Sequence, residues 1–149
     1  MLRKSVFEIT LLTAALAIMF ALLTSTASAA EPTGDAWHRD WASAYKDSQC
    51  RSRPILMFFT MKHCYSCERM NKETYSDEDI QRELESRFVL ACIKLEEHTE
   101  FVQRLRIRSF PTTVIMSTDN KVLDCMQGYV GPEKLRTRLQ AATAKVAQR

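Results

Sequence analysis

Two cysteines separated by two residues are the part of the sequence best suited to chemistry. They stand in the segment Cys64-Tyr65-Ser66-Cys67, which follows the apolar run from Ile55 to Phe59 and precedes a stretch with helical spacing. The apolar run predicts a strand buried on both faces, so the cysteines are expected where a strand leads into a helix. Two cysteines in one helical turn can exchange between a dithiol and a disulfide, and the same spacing also supplies half of a zinc site.

The neighbours of this pair favour a reactive first cysteine. Free N–H groups and the helix dipole at a helix N-terminus stabilise an anion, and the thiolate is the nucleophilic form of cysteine. Lys62, His63 and Arg69 place positive charge around the pair and act in the same direction. We therefore expect Cys64 to be the nucleophile and the more deeply placed Cys67 to resolve the mixed disulfide. The alternatives are a structural disulfide for the pair and an ordinary exposed side chain for His63.

Metal and haem chemistry match the sequence around the pair poorly. A zinc site needs two more ligands at suitable spacing, and His63 is directly adjacent to Cys64. A c-type haem attachment motif requires histidine immediately after the second cysteine, where this sequence has Glu68. We therefore predict no metal and no cofactor. A metallochaperone that uses the cysteine pair together with methionine or histidine is an open alternative.

Residues 1–29 have the three parts of a secretory signal peptide. Arg3 and Lys4 form a basic start, the run from Ile9 to Leu23 is apolar, and a stretch of small residues ending at Ala29 fits a cleavage site. The protein is expected to be exported to the periplasm or the extracellular space, where disulfides persist. If the signal peptide is not cleaved, its apolar run would anchor the protein in the membrane.

The rest of the chain is expected to form a flexible leader, residues 30–34, and one folded domain, residues 35–149. The chain of 149 residues is 46% hydrophobic, which is enough to build one core. Its formal net charge is only +3, and no long basic run suggests a nucleic-acid partner. The composition therefore argues against a nucleic-acid-binding protein but does not indicate a particular function.

Three further cysteines lie in the predicted domain. Cys92 alternates along a predicted buried strand and is expected to be a small core residue. Cys50 lies at a helix end and Cys125 in a hairpin, so each is a candidate free thiol, and a bridge between the two is an alternative. Because the five cysteines are an odd number, at least one thiol stays unpaired or pairs between molecules.

Hydrophobic periodicity predicts strands that alternate with helices. The first helix is expected from Asp35, its N-cap, to about Gln49, and Ser76-Asp77-Glu78-Asp79 resembles a capping box that opens a helix to about Arg87. The other predicted elements are helices at 64–74, 99–106 and from 132 onward, and strands at 55–59, 88–95, 112–116 and 121–126. Helical crossovers imply parallel strands and the final hairpin adds antiparallel pairing. The predicted α/β fold is a mixed four-stranded sheet with helices on both faces.

A second motif, Ser109-Phe110-Pro111-Thr112, stands immediately before the third predicted strand. Together with the CxxC motif, a glycine after the hairpin and the final helix, it makes the chain from about Pro54 to Leu139 resemble the thioredoxin-like superfamily. The resemblance implies a three-layer sandwich in which Pro111 has a cis peptide bond and faces the cysteines. It also implies that Phe110 lies beside the sulfur atoms and that an unpaired backbone edge binds the extended chain of a substrate.

The residues from Cys64 to Met70, followed by the segment from Thr74 to Glu78, are similar to exported thiol:disulfide interchange proteins. These include the thioredoxin-like domain of periplasmic electron-transfer reductases. The similarity implies a disulfide between Cys64 and Cys67 and dithiol–disulfide exchange with protein substrates. It also implies a redox partner, either a membrane electron transporter or another disulfide reductase or oxidase. No nucleic-acid partner is expected, and a membrane is expected only if the signal peptide stays attached.

The sequence departs from the superfamily pattern next to the cysteines. Thioredoxins carry a buried acid six residues before the first cysteine, and this chain has Phe58 there. Lys94, on the following strand, is therefore expected to lack its usual acidic partner. Proton transfer to or from Cys67 is left to Glu68, to Glu96, to water or to no assisting group.

These observations favour a thiol–disulfide oxidoreductase. Tyr65-Ser66 between the cysteines matches neither the Gly-Pro of reducing thioredoxins nor the Pro-His of strong oxidants, and we expect a reductase or interchange role. A redox-inactive binding module with the same fold is an alternative. Arg104, Arg106 and Arg108 are expected to form a solvated helix end, and a surface for an acidic partner is the alternative interpretation.

Overall fold

The computed structural model describes residues 32 and 36–147, which form a five-stranded sheet with helices on both faces. In chain order the elements are β1 (Trp37–His38), α1 (Trp41–Arg51), β2 (Ile55–Thr60), α2 (Tyr65–Met70), a π-helical turn (Asn71–Tyr75), α3 (Glu78–Arg87), β3 (Val89–Lys94), α4 (Thr99–Arg104), β4 (Thr112–Met116), β5 (Val122–Gln127) and α5 (Pro132–Ala147). The predicted signal peptide and, apart from Pro32, the predicted leader lie outside the described residues. Among the residues described, no helix is both long and apolar enough to cross a membrane.

The strands are arranged in the order β1-β3-β2-β4-β5. β1 and β2 run parallel to β3, whereas β4 runs antiparallel to both β2 and β5. The predicted mixed sheet is confirmed, but the predicted number of four strands is wrong because β1 adds a fifth. β1 has only two residues, which is too short to produce a recognisable alternation of apolar and polar side chains.

The first helix begins later than the sequence pattern indicated. Trp37, which was assigned to this helix, lies in β1, and α1 begins at Trp41. Its N-cap is Asp40 rather than Asp35: the Asp40 carboxylate accepts a hydrogen bond from the Ser43 N–H at 2.9 Å. The two tryptophans stand four residues apart, as they would on a helix, so periodicity alone could not separate a short strand from the helix that follows it.

The start of α3 also differs by one residue from the expected capping box. Asp77 is the N-cap, and its carboxylate accepts hydrogen bonds from the N–H groups of Asp79 and Ile80 at 3.1 and 2.9 Å. The Ser76 hydroxyl instead donates to the Asn71 carbonyl oxygen at 2.9 Å and closes the π-helical turn. Both residues are good N-caps, and the position of the preceding turn decides between them.

Apolar side chains on the two faces of the sheet form two cores. The α1-side core consists of Ala44, Ile55, Met57, Phe59, Val89, Ala91, Ile93, Val102, Val114 and Met116. The cysteine-side core consists of Leu56, Phe58, Cys67, Met70, Tyr75, Ile80, Leu84, Phe88, Leu90, Cys92, Ile115, Leu123, Met126, Val130, Leu135, Leu139 and Ala142. Alternate residues of β2 face alternate cores, which explains why this strand is apolar along most of its length.

Candidate active site

Cys64 and Cys67 form a disulfide at the start of α2, four residues after the end of β2. The S–S distance is 2.00 Å and the two Cα atoms are 5.2 Å apart. Cys64 is the N-cap of α2: its Sγ accepts a hydrogen bond from the Cys67 N–H at 3.2 Å, and its carbonyl oxygen accepts from the Glu68 N–H at 3.0 Å. An N–H group directed at a sulfur stabilises negative charge on that sulfur.

The two cysteines differ in exposure. Cys64 is half-buried, whereas Cys67 is fully buried and belongs to the cysteine-side core. Between them, Tyr65 is 79% exposed and Ser66 is exposed as well. A protein substrate can therefore reach the Cys64 sulfur but not the Cys67 sulfur, which is the asymmetry that a nucleophilic and a resolving cysteine require.

The surroundings of Cys67 are apolar and aromatic. The Phe58 and Tyr75 rings belong to the same core as Cys67 and meet edge to face, with centroids 4.9 Å apart. The Tyr75 hydroxyl shares a hydrogen bond of 2.8 Å with the Thr113 hydroxyl, and burial raises the pKa of Tyr75 far above its ordinary value. Among the described residues, no aspartate or glutamate side chain is buried. Cys67 therefore has no buried carboxylate beside it.

The loop that precedes β4 reaches the same end of the sheet as the cysteines. The Phe110–Pro111 peptide bond is cis, and the Pro111 carbonyl oxygen accepts a hydrogen bond from the Gly128 N–H at 2.7 Å. Thr112, the first residue of β4, pairs with Phe59 near the end of β2. Phe110 is half-buried and packs against both cores, including the core that Cys64 also contacts. The fold thus brings Phe110 and Pro111 to the disulfide end of the sheet.

A hydrogen bond from the segment before the disulfide fixes Glu96. The Lys62 N–H donates to the Glu96 carboxylate at 2.7 Å and lowers the pKa of that carboxyl. His63 and Glu68 are both exposed, and His63 adopts a left-handed backbone conformation with a φ of 55°. Of the two acids expected to exchange a proton with Cys67, Glu96 is thus bonded to the backbone and Glu68 faces solvent.

As the sequence indicates, Lys94 has no acid at position 58 to pair with, and it pairs with a different acid. Its ammonium group forms an ion pair with the Glu97 carboxylate at 3.2 Å. The register of the sheet also sets Cys92, rather than Lys94, opposite Phe58, while Lys94 lies opposite Thr60 at the end of β2. The spacing of three residues between Lys94 and Glu97 could have suggested this pair.

Arg69 is also engaged elsewhere than expected. Its guanidinium forms an ion pair with Glu73 at 3.0 Å and lies over the Tyr129 ring, 4.2 Å from the centroid. The Tyr129 hydroxyl donates to the same Glu73 carboxylate at 2.7 Å. Glu73 therefore offsets the positive charge of Arg69, which the sequence predicts to act on the cysteine pair. The Arg69–Glu73 spacing of four residues was visible in the sequence, but Tyr129 lies 56 residues beyond Glu73.

The three remaining cysteines, all within the described residues, form no disulfide. Cys92 is buried, as predicted, in the cysteine-side core. Cys50 and Cys125 are both exposed and unpaired, so the alternative of a bridge between them is not realised. Within residues 32 and 36–147, no three His, Cys, Asp or Glu side chains are arranged to hold a metal ion.

Comparison with known proteins agrees with this geometry. Residues 41–143 match a family described as a thioredoxin-like domain. A search of curated proteins finds no significant match. Similar solved structures include a thioredoxin from Thermus thermophilus, with a TM-score of 0.67 and 24% identity over 74% of this chain and 89% of that chain.

Two further similar structures are an oxidoreductase named DsbH and a domain of a protein named DsbD. The DsbH oxidoreductase has a TM-score of 0.65 and 18% identity over 80% of this chain and 91% of its own. The oxidised C-terminal domain of Neisseria meningitidis DsbD has a TM-score of 0.61 and 16% identity over 70% of this chain and 97% of its own. At these identities the structural likeness shows the fold, while the CxxC disulfide supports thiol–disulfide oxidoreductase chemistry. The chain belongs to the thioredoxin-like domain family.

Proposed function

We propose that this protein is an exported thiol–disulfide oxidoreductase that reduces or interchanges disulfides in protein substrates. The observation that carries the proposal is the asymmetry of the disulfide, in which an accessible Cys64 at a helix N-cap is bonded to a buried Cys67. The exposed Tyr65 beside it leaves room for a protein surface to approach the Cys64 sulfur. Export is proposed from the signal-peptide pattern of residues 1–29.

In the reducing direction, the Cys64 thiolate attacks one sulfur of the substrate disulfide. The substrate S–S bond breaks, a mixed disulfide forms between Cys64 and the substrate, and the other substrate sulfur leaves as a thiolate that takes up a proton. Cys67 then loses its proton and attacks the Cys64 sulfur. The Cys64–Cys67 disulfide forms and the first substrate sulfur leaves as a thiol. Two electrons have passed from the cysteine pair to the substrate, and the two protons on the product thiols come from Cys67 and from solvent.

The cycle requires a second dithiol that reduces the Cys64–Cys67 disulfide again. We propose a redox partner of this kind, either a membrane electron transporter or another disulfide reductase. The same exchange chemistry applies, with the partner's thiolate attacking the accessible Cys64 sulfur first. Reversal of the cycle with an oxidase would make the protein an oxidant, which the Tyr65-Ser66 dipeptide does not favour.

The residues around the disulfide have supporting roles in this proposal. The Cys67 N–H stabilises negative charge on Cys64 in the thiolate and in the leaving group. Lys62 and His63 are exposed and add positive charge at the approach to Cys64 when His63 is protonated. Because the core around Cys67 has no carboxylate, its proton leaves through water or through the exposed Glu68. Phe110 and Pro111 form the wall against which the substrate chain lies.

Reduction of insulin by dithiothreitol tests the proposal. The wild-type protein is expected to accelerate precipitation of the insulin B chain, and Cys64→Ser is expected to abolish the acceleration. Cys67→Ser is expected to accumulate a mixed disulfide between Cys64 and the substrate, visible on a non-reducing gel. Exposed Cys50→Ser is the matched control because it removes a thiol far from the disulfide. Full activity of Cys64→Ser would overturn the proposed role of Cys64.

A further inference from the structure

Most arginines in the described part of the chain have a partner. Those with a carboxylate or carbonyl partner include Arg51, Arg53, Arg69, Arg82, Arg87, Arg136 and Arg138, and Arg39 also takes part in an interaction. By contrast, Arg104, Arg106 and Arg108 form no ion pair with any residue described, although Glu100 lies four residues before Arg104. These three residues and those between them, 104–108, are here called the arginine segment.

The arginine segment points its charges outward. Leu105, Ile107 and the following Phe110 are half-buried and pack against the α1-side core. The three arginines alternate with these anchors and are all exposed. Three arginines without an ion pair to any described residue are therefore exposed within five residues, on a segment that the packing of Leu105 and Ile107 holds against the domain.

The location of the segment links it to the disulfide. It leads directly into Phe110 and Pro111, which lie at the disulfide end of the sheet. The nearest acids in sequence do not neutralise it: Glu96 accepts from the Lys62 N–H and Glu97 pairs with Lys94. Among the acids close in sequence, Glu100 is then the one that could offset the three positive charges of the arginine segment, which lies next to Phe110 and Pro111 in the chain.

Arg106 occupies a position that favours glycine. Its φ is 56°, in the left-handed region, and it ends α4 with hydrogen bonds from the Arg106 N–H to the Gln103 carbonyl and from the Ile107 N–H to the Val102 carbonyl. This is the arrangement in which glycine is the usual residue, because a Cβ atom is strained there. At position 106 the chain therefore has a long cationic side chain, although the left-handed backbone conformation favours a residue without a side chain.

We infer that the arginine segment binds acidic residues that flank the disulfide or the thiol of a protein substrate. The inference rests on the proposed function, since it names the chemical class of the substrate for the same site. Clustered positive charge without internal partners attracts carboxylates, raises the rate of encounter and selects among substrates that share the same disulfide chemistry. An acidic segment bound here would extend along the loop toward Pro111 and deliver its cysteine to Cys64.

Two disulfide-linked peptides test the inference, identical except for four flanking residues that are Glu in one and Gln in the other. The rate constant of exchange with the reduced protein is measured for each by stopped-flow fluorescence at low ionic strength and in ~0.5 M salt. The wild-type protein is expected to react about tenfold faster with the Glu peptide at low ionic strength, and salt is expected to remove most of this preference.

Charge-removal variants identify the source of the preference. In Arg104→Gln/Arg106→Gln/Arg108→Gln the ratio of the two rate constants is expected to fall to about 1. The matched control, Lys46→Gln/Arg87→Gln/Lys121→Gln, removes three exposed positive charges elsewhere on the domain and is expected to keep most of the preference. Equal ratios in the two triple variants would overturn the inference. Arg106→Gly alone is expected to lower the ratio while raising the melting temperature, which separates loss of charge from loss of fold.

A binding measurement distinguishes failure of this inference from failure of the proposed function. The same peptides with serine in place of cysteine are titrated with the oxidised protein and followed by fluorescence anisotropy. If the wild-type protein reduces neither disulfide peptide, the proposed function fails, and arginine-dependent binding of the Glu peptide would still support the acidic-partner surface. No binding of the Glu peptide overturns the inference. Arginine-dependent binding to phosphatidylglycerol vesicles without binding to the Glu peptide also overturns it.

Discussion

The rings of Phe58 and Tyr75 meet edge to face, 4.9 Å between centroids, in the core that also holds Cys67. Phe58 occupies the position at which the thioredoxin-like resemblance leads one to expect a buried acid. The resolving cysteine is therefore surrounded by apolar groups, and no charged side chain is buried among the described residues. The aromatic contact of Phe58 with Tyr75 therefore packs the core at the position where thioredoxins have an acid that can accept or donate a proton.

Phe58→Asp is expected to destabilise the protein by at least about 3 kcal/mol at neutral pH. The substitution removes the ring from a fully buried position and leaves a carboxylate there without a partner. The loss is expected to shrink as the pH falls, because a buried carboxyl has a raised pKa and folding then favours its protonated form. Urea unfolding at several pH values measures the effect, with Phe58→Leu as the apolar control. Equal stabilities for Phe58→Asp and Phe58→Leu at pH 7 would contradict this account of the core.

The hydrogen bond between the Tyr75 and Thr113 hydroxyls predicts a non-additive pair of substitutions. Tyr75→Phe is expected to cost about 1–2 kcal/mol of unfolding free energy, because it removes one partner from a buried hydroxyl. Thr113→Val removes the other partner at similar cost. The double variant is expected to lose less than the sum of the two, by at least about 0.5 kcal/mol. Strict additivity in a double-mutant cycle would show that the two hydroxyls do not interact.

Much of this arrangement was predictable from local sequence patterns. The buried strand Ile55–Thr60 followed by a helix, the strand after Pro111 and the apolar stripe of the last helix each follow from the spacing of apolar residues. The CxxC motif and the Phe110-Pro111 dipeptide then identified the two parts of the candidate site. These features depend on residues close together in the chain, which is why sequence patterns carry them.

The missed features depend on distance in the chain or on very short elements. Tyr129 reaches Glu73 only because the fold brings the loop after β5 to the π-helical turn. The two residues of β1 form a strand only because the edge of β3 is available to them. Neither of these two contacts leaves a periodic signal.

The Glu96 carboxylate makes stability depend on pH near the candidate site. Its hydrogen bond from the Lys62 N–H lowers its pKa below the ordinary value of 4.5. A lowered pKa in the folded state means that the carboxylate stabilises the fold above pH 4.5, and that this contribution is lost as the pH falls through the lowered pKa. The difference in unfolding free energy between wild type and Glu96→Gln is therefore expected to be positive at neutral pH and to approach zero in acid. Exposed Glu68→Gln is the matched control, and a difference for Glu96→Gln that is independent of pH would contradict the expectation.

Arg106 offers a test of backbone strain that does not involve the disulfide. Arg106→Gly is expected to stabilise the protein by about 0.5–1 kcal/mol, since relief of the left-handed strain outweighs the extra freedom of glycine in the unfolded chain. Arg106→Ala keeps the Cβ atom and is expected to leave stability nearly unchanged. Urea unfolding of the three proteins measures the differences. A less stable Arg106→Gly would mean that the arginine side chain itself supports the end of α4.

The potential of the Cys64–Cys67 couple is the most direct test of the central claim. The purified protein is equilibrated in glutathione and dithiothreitol buffers of known potential, and the fraction reduced is measured by thiol alkylation and mass spectrometry. A reversible two-electron transition closer to about −270 mV than to about −120 mV is the result predicted for a reductase or interchange protein. A disulfide that excess dithiothreitol does not reduce, or a potential near about −120 mV, would contradict it.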